Sequence, residues 1–447
     1  MWYDGKRCQL QKAQYDVAVI GSGIGGMCAA VLLAHSGYKV IILEKLPELG
    51  GRCSTVEIKG FKIPHVAQEK PLKGIEADIF REVGAKFDIV PQPPVVYRIQ
   101  GKDYVPPEKG QLLFLLSQVC KDDRELNRIS SAMLRAMRWE EPSTYVTLGD
   151  WLKQYTDNEM VLGIFSNLFG ALLMTPLDEV SAKDAIGSFK IGMRWWAAAG
   201  RPCRSNADLI ESLAKVIRER RGEIWKRSVV KRILAADGEV KGVVVDKEGE
   251  EVQVTAKAVI SNVGPKATIG LIGEENLEKG YTKEIKEKIH HGSQMLIAFS
   301  SDRPLISYPG GLALVGARRV VNISCMTLTC PEVSPPGQYL HTAQCQPKSQ
   351  FVTLNCKEEI EAAVQDLKEH VPGFDTYAET LHISCFFNEE WPGYRNLVGY
   401  YPPQRTPIEY LYEVGDAVAA FGQCNTSAAT ARSVVEDLKV RFSSGKA

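Results

Sequence analysis

The sequence predicts an α/β protein in which one domain is assembled from separated parts of the chain and carries an inserted α+β domain. Three observations predict it: a strand that runs into a glycine cluster and a helix at the start, a helix–strand–hairpin in the middle, and a strand that stops at Gly-Asp before a last helix. At 447 residues the chain exceeds one simple core, so two or three domains are expected.

The first unit begins at Tyr15-Asp-Val-Ala-Val-Ile20, a short apolar, β-branched run that reads as a buried strand. It passes directly into Gly21-Ser-Gly-Ile-Gly-Gly26 and then into a helix-forming stretch from Met27 to Ser36. This order makes a Rossmann-type dinucleotide fingerprint. Gly21 permits the tight turn, Gly23 lets the backbone approach a pyrophosphate, and Gly26 lets helix and strand pack closely. The helix start offers free N–H groups and partial positive charge to phosphates. A second strand, Gly37 to Glu44, ends in a carboxylate about 20 residues after the glycines, where a ribose diol should sit. That carboxylate repels a 2′-phosphate and so disfavours NADP. Beyond it, Pro47-Glu-Leu-Gly-Gly-Arg-Cys53 supplies a second glycine pair and an arginine that can fold back over the dinucleotide, with Arg52 near the phosphates.

The residues 45% hydrophobic and 24% charged, with zero formal net charge, give no sign of a nucleic-acid partner. The basic run Arg218 to Arg221 contains Glu219 and reads as a solvated helix face. Eleven cysteines without a Cys-x-x-Cys, and histidines without ligand spacing, offer no metal site. Their odd number argues for free thiols in a cytoplasmic protein, Cys53 and Cys424 reading as small buried hydrophobes. No apolar run reaches the roughly 18–20 residues that span a bilayer. Met1 to Lys12 reads as a loose leader.

From these motifs the chain resembles the flavin-dependent amine oxidase and phytoene desaturase superfamily, including its carotenoid isomerase-like members. The resemblance implies a glutathione-reductase-like, Rossmann-type FAD-binding domain with noncovalent FAD, since no Ser-Gly-Gly-Cys precedes the last strand. Further stretches extend the likeness. Asn206 to Arg221 is amphipathic, and it leads through Gly222 to Ile233 into the hairpin Asp237 to Val245 with an Asp-Gly turn. Ala258-Val-Ile-Ser-Asn-Val263 reads as the next strand, and Glu409 to Asp416 as a strand closing on Gly-Asp. Thr426 to Leu438 reads as the final helix, with Asn425 or Thr426 as its cap. The resemblance assigns cofactor contacts to Gly21, Gly23, Ile24, Gly25, Gly26, Glu44, Lys45, Gly51, Arg52, Val229, Val230, Gly415, Asp416 and Thr426. In the family Asp416 would bond the ribityl chain, Val229 and Val230 would lie by the adenine, and the last helix would aim its positive end at the flavin pyrimidine.

The FAD-binding domain is therefore expected over 1–95, 201–285 and 401–447, with the substrate domain over 96–200 and 286–400. The first insert reads as helices at Leu112 to Val119, Leu126 to Arg138, Leu148 to Tyr155 and Met160 to Leu173. The second alternates as strands at Gln294 to Ser300, Val320 to Thr327 and Tyr339 to Gln346, with a helix around Glu358 to His370.

Departures from the family pattern leave the reaction open. Lys62-Ile-Pro-His-Val-Ala67 replaces the usual acidic step after Gly60-Phe61, and Phe421-Gly-Gln-Cys-Asn-Thr426 replaces a glycine-rich desaturase signature, which puts a long polyene in doubt. His65 is the one catalytic candidate, as a proton carrier, with a hydrogen-bonded loop histidine as the alternative. His290 and His291 read as structural. Trp195-Trp196 suits core packing, an apolar tunnel or peripheral membrane contact; Tyr394, Tyr400 and Tyr401 suit an aromatic cage; Arg395 and Arg405 suit an anion or the surface. The leading expectation is an FAD-dependent oxidoreductase passing hydride from a C–H bond of a small or apolar substrate to flavin N5. The alternatives are a non-redox flavin isomerase or hydratase, and a prenyl-protein-binding module like the GDP-dissociation inhibitors.

Overall fold

The strand Ala13–Ile20 occupies the middle of a seven-stranded sheet. The computed structural model describes residues 13–66, 69–195, 199–290, 292–387, 400–419 and 423–445. The leader and Trp196, His291, Tyr394, Arg395, Phe421 and Gly422 lie outside the described residues. On one side of the central strand, Val40–Leu43 and then Glu223–Trp225 pair in parallel. On the other, Glu250–Ser261 runs parallel, with Val17 opposite Ala258 and Ile20 opposite Ser261. This long strand serves two neighbours along its far edge. Its first part takes Glu239–Lys247 antiparallel, and Val259 to Ser261 take Leu411–Glu413 parallel. Ser228–Ala236 closes the sheet through the expected hairpin, whose Asp237 and Gly238 have φ of 55° and 76°, as a type I′ turn requires.

Parallel strands covered on both faces read as unbroken apolar runs. Val40–Leu43 is buried at every position, and the helix Ile24–His35 is buried from Ile24 through Ala34. That helix packs against Asn206–Glu219 and Cys424–Ser443, so the chain's middle and end both close on its beginning. Asn206–Glu219 turns Leu209, Leu213, Val216 and Ile217 inward, as its periodicity predicts. The final helix starts at Cys424, and its cap is Gln423 rather than Asn425 or Thr426: Gln423 and Thr426 form a reciprocal capping box.

A second seven-stranded sheet has the order Glu379–Phe386, Gln294–Ser301, Tyr339–Cys345, Val320–Cys325, Leu312–Leu314, Val96–Ile99, Lys102–Tyr104. The last two strands open the first insert, ahead of the helices read in it. They join the sheet because Val96–Ile99 pairs in parallel with Leu312–Leu314, a contact between distant residues that periodicity cannot report. The expected helices are present at Gln111–Ser117, Asp123–Arg138, Leu148–Lys153, Glu159–Leu173 and Cys356–His370, with a further one at Ala182–Trp195. Asp122, Thr147 and Asn158 cap three of them by accepting from Glu125, Asp150 and Met160 N–H groups. Among the described residues no helix is long and apolar enough to cross a membrane.

Candidate cofactor and active site

One cavity of about 2030 Å³ runs from the fingerprint loop to the inserted helices and second sheet. Ligand pockets typically measure about 300–1,000 Å³, so this one has room for a cofactor and a substrate together.

The fingerprint builds one end. Gly21 has φ 88°, which turns the chain out of the strand. A Cβ at Gly26 would lie 2.3 Å from the Gly21 carbonyl oxygen, so only glycine allows the helix this close to the strand. The helix starts at Ile24 with Gly23 as its cap and no side-chain capping bond. Its first amides therefore stay available, and Gly21, Gly23, Ile24 and Gly25 all line the cavity.

Glu44 lines the cavity although its side chain is buried. Its Oε2 accepts from the Ser22 N–H (2.9 Å) and Ser22 Oγ (2.6 Å), and its Oε1 accepts from the Leu46 N–H (2.9 Å). Three donors fix the carboxylate, and its remaining lone pairs can accept from a diol. The Gly50-Gly51 turn packs onto the fingerprint itself: Gly50 bridges Gly23, and its N–H donates to Ser22 Oγ (3.1 Å). Lys45, Gly51, Val229 and Val230 complete this end.

Asn262 underlies the whole cradle and was matched in the sequence only as part of a strand. With its amide nitrogen donating to the Val414 carbonyl (3.2 Å) and its oxygen accepting from the Gly23 N–H (3.2 Å), it ties the first glycine loop to the last strand. A Cβ at Gly415, where φ is 105°, would meet the same side-chain amide at 2.6 Å. Such a joint between three distant segments has no local signature.

Arg52 and Asp416 both line the cavity, but they pair with each other rather than standing apart. Burial disfavours the Arg52 charge, and Asp416 more than offsets it. Thr426 does not line the cavity; its hydroxyl accepts from the Gln423 N–H (3.0 Å) and serves the helix cap. Its neighbours Gln423, Cys424 and Ser427 line the cavity instead.

His65 lines the cavity just beyond the hairpin of Thr55–Ile58 and Phe61–Pro64. Its Nδ1 lies 3.0 Å from Ser54 Oγ, and its ring stands edge-on to His382 at 6.2 Å. Burial, and then the His382 charge, lower its pKa, so the imidazole is neutral at pH 7. Tyr400 and Tyr401 do not line the cavity, so they form no cage there; Tyr400 lies under the Lys288 ammonium instead. Arg405 pairs with Asp437 at the surface. His290 stands edge-on to Phe351.

The other end is apolar. Leu112, Leu116, Met133, Ile164, Leu168 and Phe189 from the helices face Leu296 and Phe386 from the second sheet. Tyr97, Gln294, Asn322, Gln344 and Ser384 are among the polar side chains interspersed with them. Among the described residues no group of three His, Cys, Asp or Glu side chains could hold a metal ion.

A Rossmann-type cradle opening into a largely apolar chamber defines a fold suited to a dinucleotide, with further space beside it in the same cavity. A family model for NAD(P)-binding Rossmann-like domains matches residues 19–69. All-trans-retinol 13,14-reductase of Danio rerio is 28% identical over 56% of this chain, which spans 47% of that enzyme. The crystal structure of an oxidoreductase from Methanosarcina mazei superposes with a TM-score of 0.83 at 27% identity, covering 95% of this chain and 100% of that one. Cyclohexylamine oxidase from Brevibacterium oxydans shares the fold, with a TM-score of 0.70 at 16% identity over 95% and 99% of the two chains. Phytoene desaturases and prolycopene isomerases are similar over parts of the chain. The chain is thus similar in sequence to retinol reductase, phytoene desaturases and prolycopene isomerases, and in fold to an archaeal oxidoreductase and to amine oxidases.

Proposed function

We propose that the chain binds FAD noncovalently and takes hydride from a C–H bond of an apolar substrate. The observation that carries this reading is the single cavity joining the dinucleotide cradle to an apolar chamber. The folded-back Gly50-Gly51 turn and the Arg52–Asp416 pair favour FAD over a nicotinamide dinucleotide, because they extend the cradle toward the chamber from both ends of the chain. We assign the cradle to 1–95, 201–285 and 401–447, and the chamber to 96–200 and 286–400.

Bound flavin supplies the two-electron acceptor chemistry. The residues of the chain bind and orient. The uncapped helix start at Ile24 takes the pyrophosphate, and Glu44 takes the ribose hydroxyls. Arg52 and Asp416 hold the middle of the cofactor, and Gln423 to Ser427 present the positive end of the last helix. Leu112, Leu168 and Phe189 exclude water and fix an apolar substrate by shape. The retinol reductase acts on a polyene alcohol by its name, and the apolar chamber suits a substrate of that polarity. Neutral His65 can accept or donate a proton at its ring nitrogen, the feature a non-redox isomerase or hydratase would require.

The test is anaerobic titration of the holoprotein with polyene alcohols, amines and acyl substrates while following flavin absorbance. An apolar substrate is expected to bleach the flavin stoichiometrically. Turnover of substrate with no bleaching at any stage, abolished in His65→Asn, contradicts the hydride reading and supports the non-redox one. A colourless protein that takes up no FAD supports a binding module instead.

A further inference from the structure

Beside the cradle, four chemistry-bearing side chains that hydride transfer does not use come together. Cys53 ends the turn after Arg52, and Cys424 opens the last helix, yet their sulfurs lie 3.1 Å apart. Both line the cavity. Lys70 Nζ stands 4.0 Å from Cys53 Sγ and 2.5 Å from Glu76 Oε1, with both partners of that ion pair almost completely buried. The Glu76 N–H donates to Asn425 Oδ1 (3.1 Å), which fixes the start of the last helix on the same cluster.

A cysteine that only fills space needs apolar neighbours and no charge. Here a buried ammonium sits beside one sulfur, and the other sulfur occupies a helix N-terminus, two settings that favour thiolate. The hydrogen bond from Cys424 holds Cys53 below its ordinary pKa, with Lys70 adding to the effect. Cys424 is raised as the partner that keeps the proton. Burial opposes the charge on Lys70, but the two sulfurs and Glu76 outweigh it and keep the ammonium protonated. The cluster therefore eases the proton off Cys53 while Cys424 holds its own more tightly, and thiol–disulfide chemistry starts from two sulfurs in such a contact.

We propose that Cys53 and Cys424 are a dithiol–disulfide couple that exchanges two electrons with the flavin bound in the same cavity. This rests on the FAD reading above. In the oxidising direction an S–S bond forms as both thiols give up their protons. Two electrons and two protons pass to oxidised flavin, which becomes dihydroflavin. In the other direction dihydroflavin returns them and the S–S bond breaks. Closing the sulfurs to about 2.05 Å needs a shift of roughly 1 Å. The holoprotein then stores four electrons rather than two. A second sulfur contact, Cys356 to Cys385 at 2.7 Å, lies away from the cavity with Cys356 exposed, and the test must remove it.

The experiment uses aerated, desalted holoprotein carrying Cys356→Ser and Cys385→Ser, titrated anaerobically with dithionite while flavin absorbance is followed. Four electrons per flavin are expected, and two when Cys424→Ser is added. Differential alkylation with mass mapping, run in parallel on the unsubstituted protein, should show a linked Cys53–Cys424 peptide before reduction and two labelled thiols after it. This arm decides the matter if a substituted protein fails to fold. Full reduction by two electrons with a full complement of FAD, four electrons persisting in Cys424→Ser, or a linked peptide that never forms overturns the couple and leaves the FAD reading intact. Protein that takes up no FAD overturns both, and shows this before any titration.

Discussion

The nucleotide cradle and the apolar chamber share one cavity but are specified in different ways. The cradle is made of backbone: Gly21, Gly23, Gly26 and Gly50 stand where a side chain would collide or where φ is positive. The chamber is made of side chains such as Leu112, Leu168 and Phe189, any of which another apolar residue could replace with modest repacking. A backbone site tolerates almost no substitution and binds one chemical shape. A side-chain site can change substrate while the fold persists.

Substitution in the cradle should break this comparison most sharply. Gly26→Val places branched carbon against the Gly21 carbonyl and Val19, and is expected to cost about 3 kcal/mol or more and to abolish flavin retention. Thermal unfolding and the absorbance of purified protein check both effects.

Acid should act on the chamber's sheet. His341 in Tyr339–Cys345 is fully buried, stacked 4.8 Å from Phe299, and its Nε2 accepts from the Leu305 N–H (3.1 Å). Burial lowers its pKa from 6.5 to about 4. The folded state thus binds fewer protons than the unfolded one between these values, so stability falls as pH drops from 6.5 towards 4. The loss should reach about 3 kcal/mol, and His341→Gln should flatten that part of the denaturation profile. An unchanged slope in the variant would place the acid sensitivity elsewhere.

Glu44→Gln removes the charge that holds Ser22 and should weaken cofactor affinity about tenfold to a hundredfold, consistent with charged hydrogen bonds of about 1.5–3 kcal/mol. Equilibrium titration of apoprotein with FAD measures it. The smallest effect is expected from Leu168→Trp, which narrows the chamber. It should leave flavin content unchanged while weakening an apolar ligand about tenfold, or about 1.4 kcal/mol. Lost flavin in that variant would mean the two ends are not separately specified.

The same contrast explains what was legible in the sequence. Fingerprint glycines, Glu44 and the Asp237-Gly238 hairpin act within a few residues or at a fixed spacing, so their pattern survives in one dimension. Amphipathic helices such as Asn206–Glu219 were legible for the same reason. Asn262 bridging Gly23 to Val414, Val96–Ile99 beside Leu312–Leu314, and Cys53 against Cys424 depend on which distant segments meet, and nothing local encodes that. Thr426, a cofactor contact by resemblance, caps the helix and does not line the cavity; a helix start near a Gly-Asp strand reads alike whether its hydroxyl faces a ligand or closes the helix. Tyr400 and Tyr401 likewise sat near the right strand but away from the cavity.

The most direct test is to purify the protein, denature it and identify what it releases. About one intact FAD per chain is expected, free of covalent attachment, with retention lost in Gly26→Val. Release of a nicotinamide dinucleotide in its place, or no cofactor even after reconstitution with FAD, would contradict it.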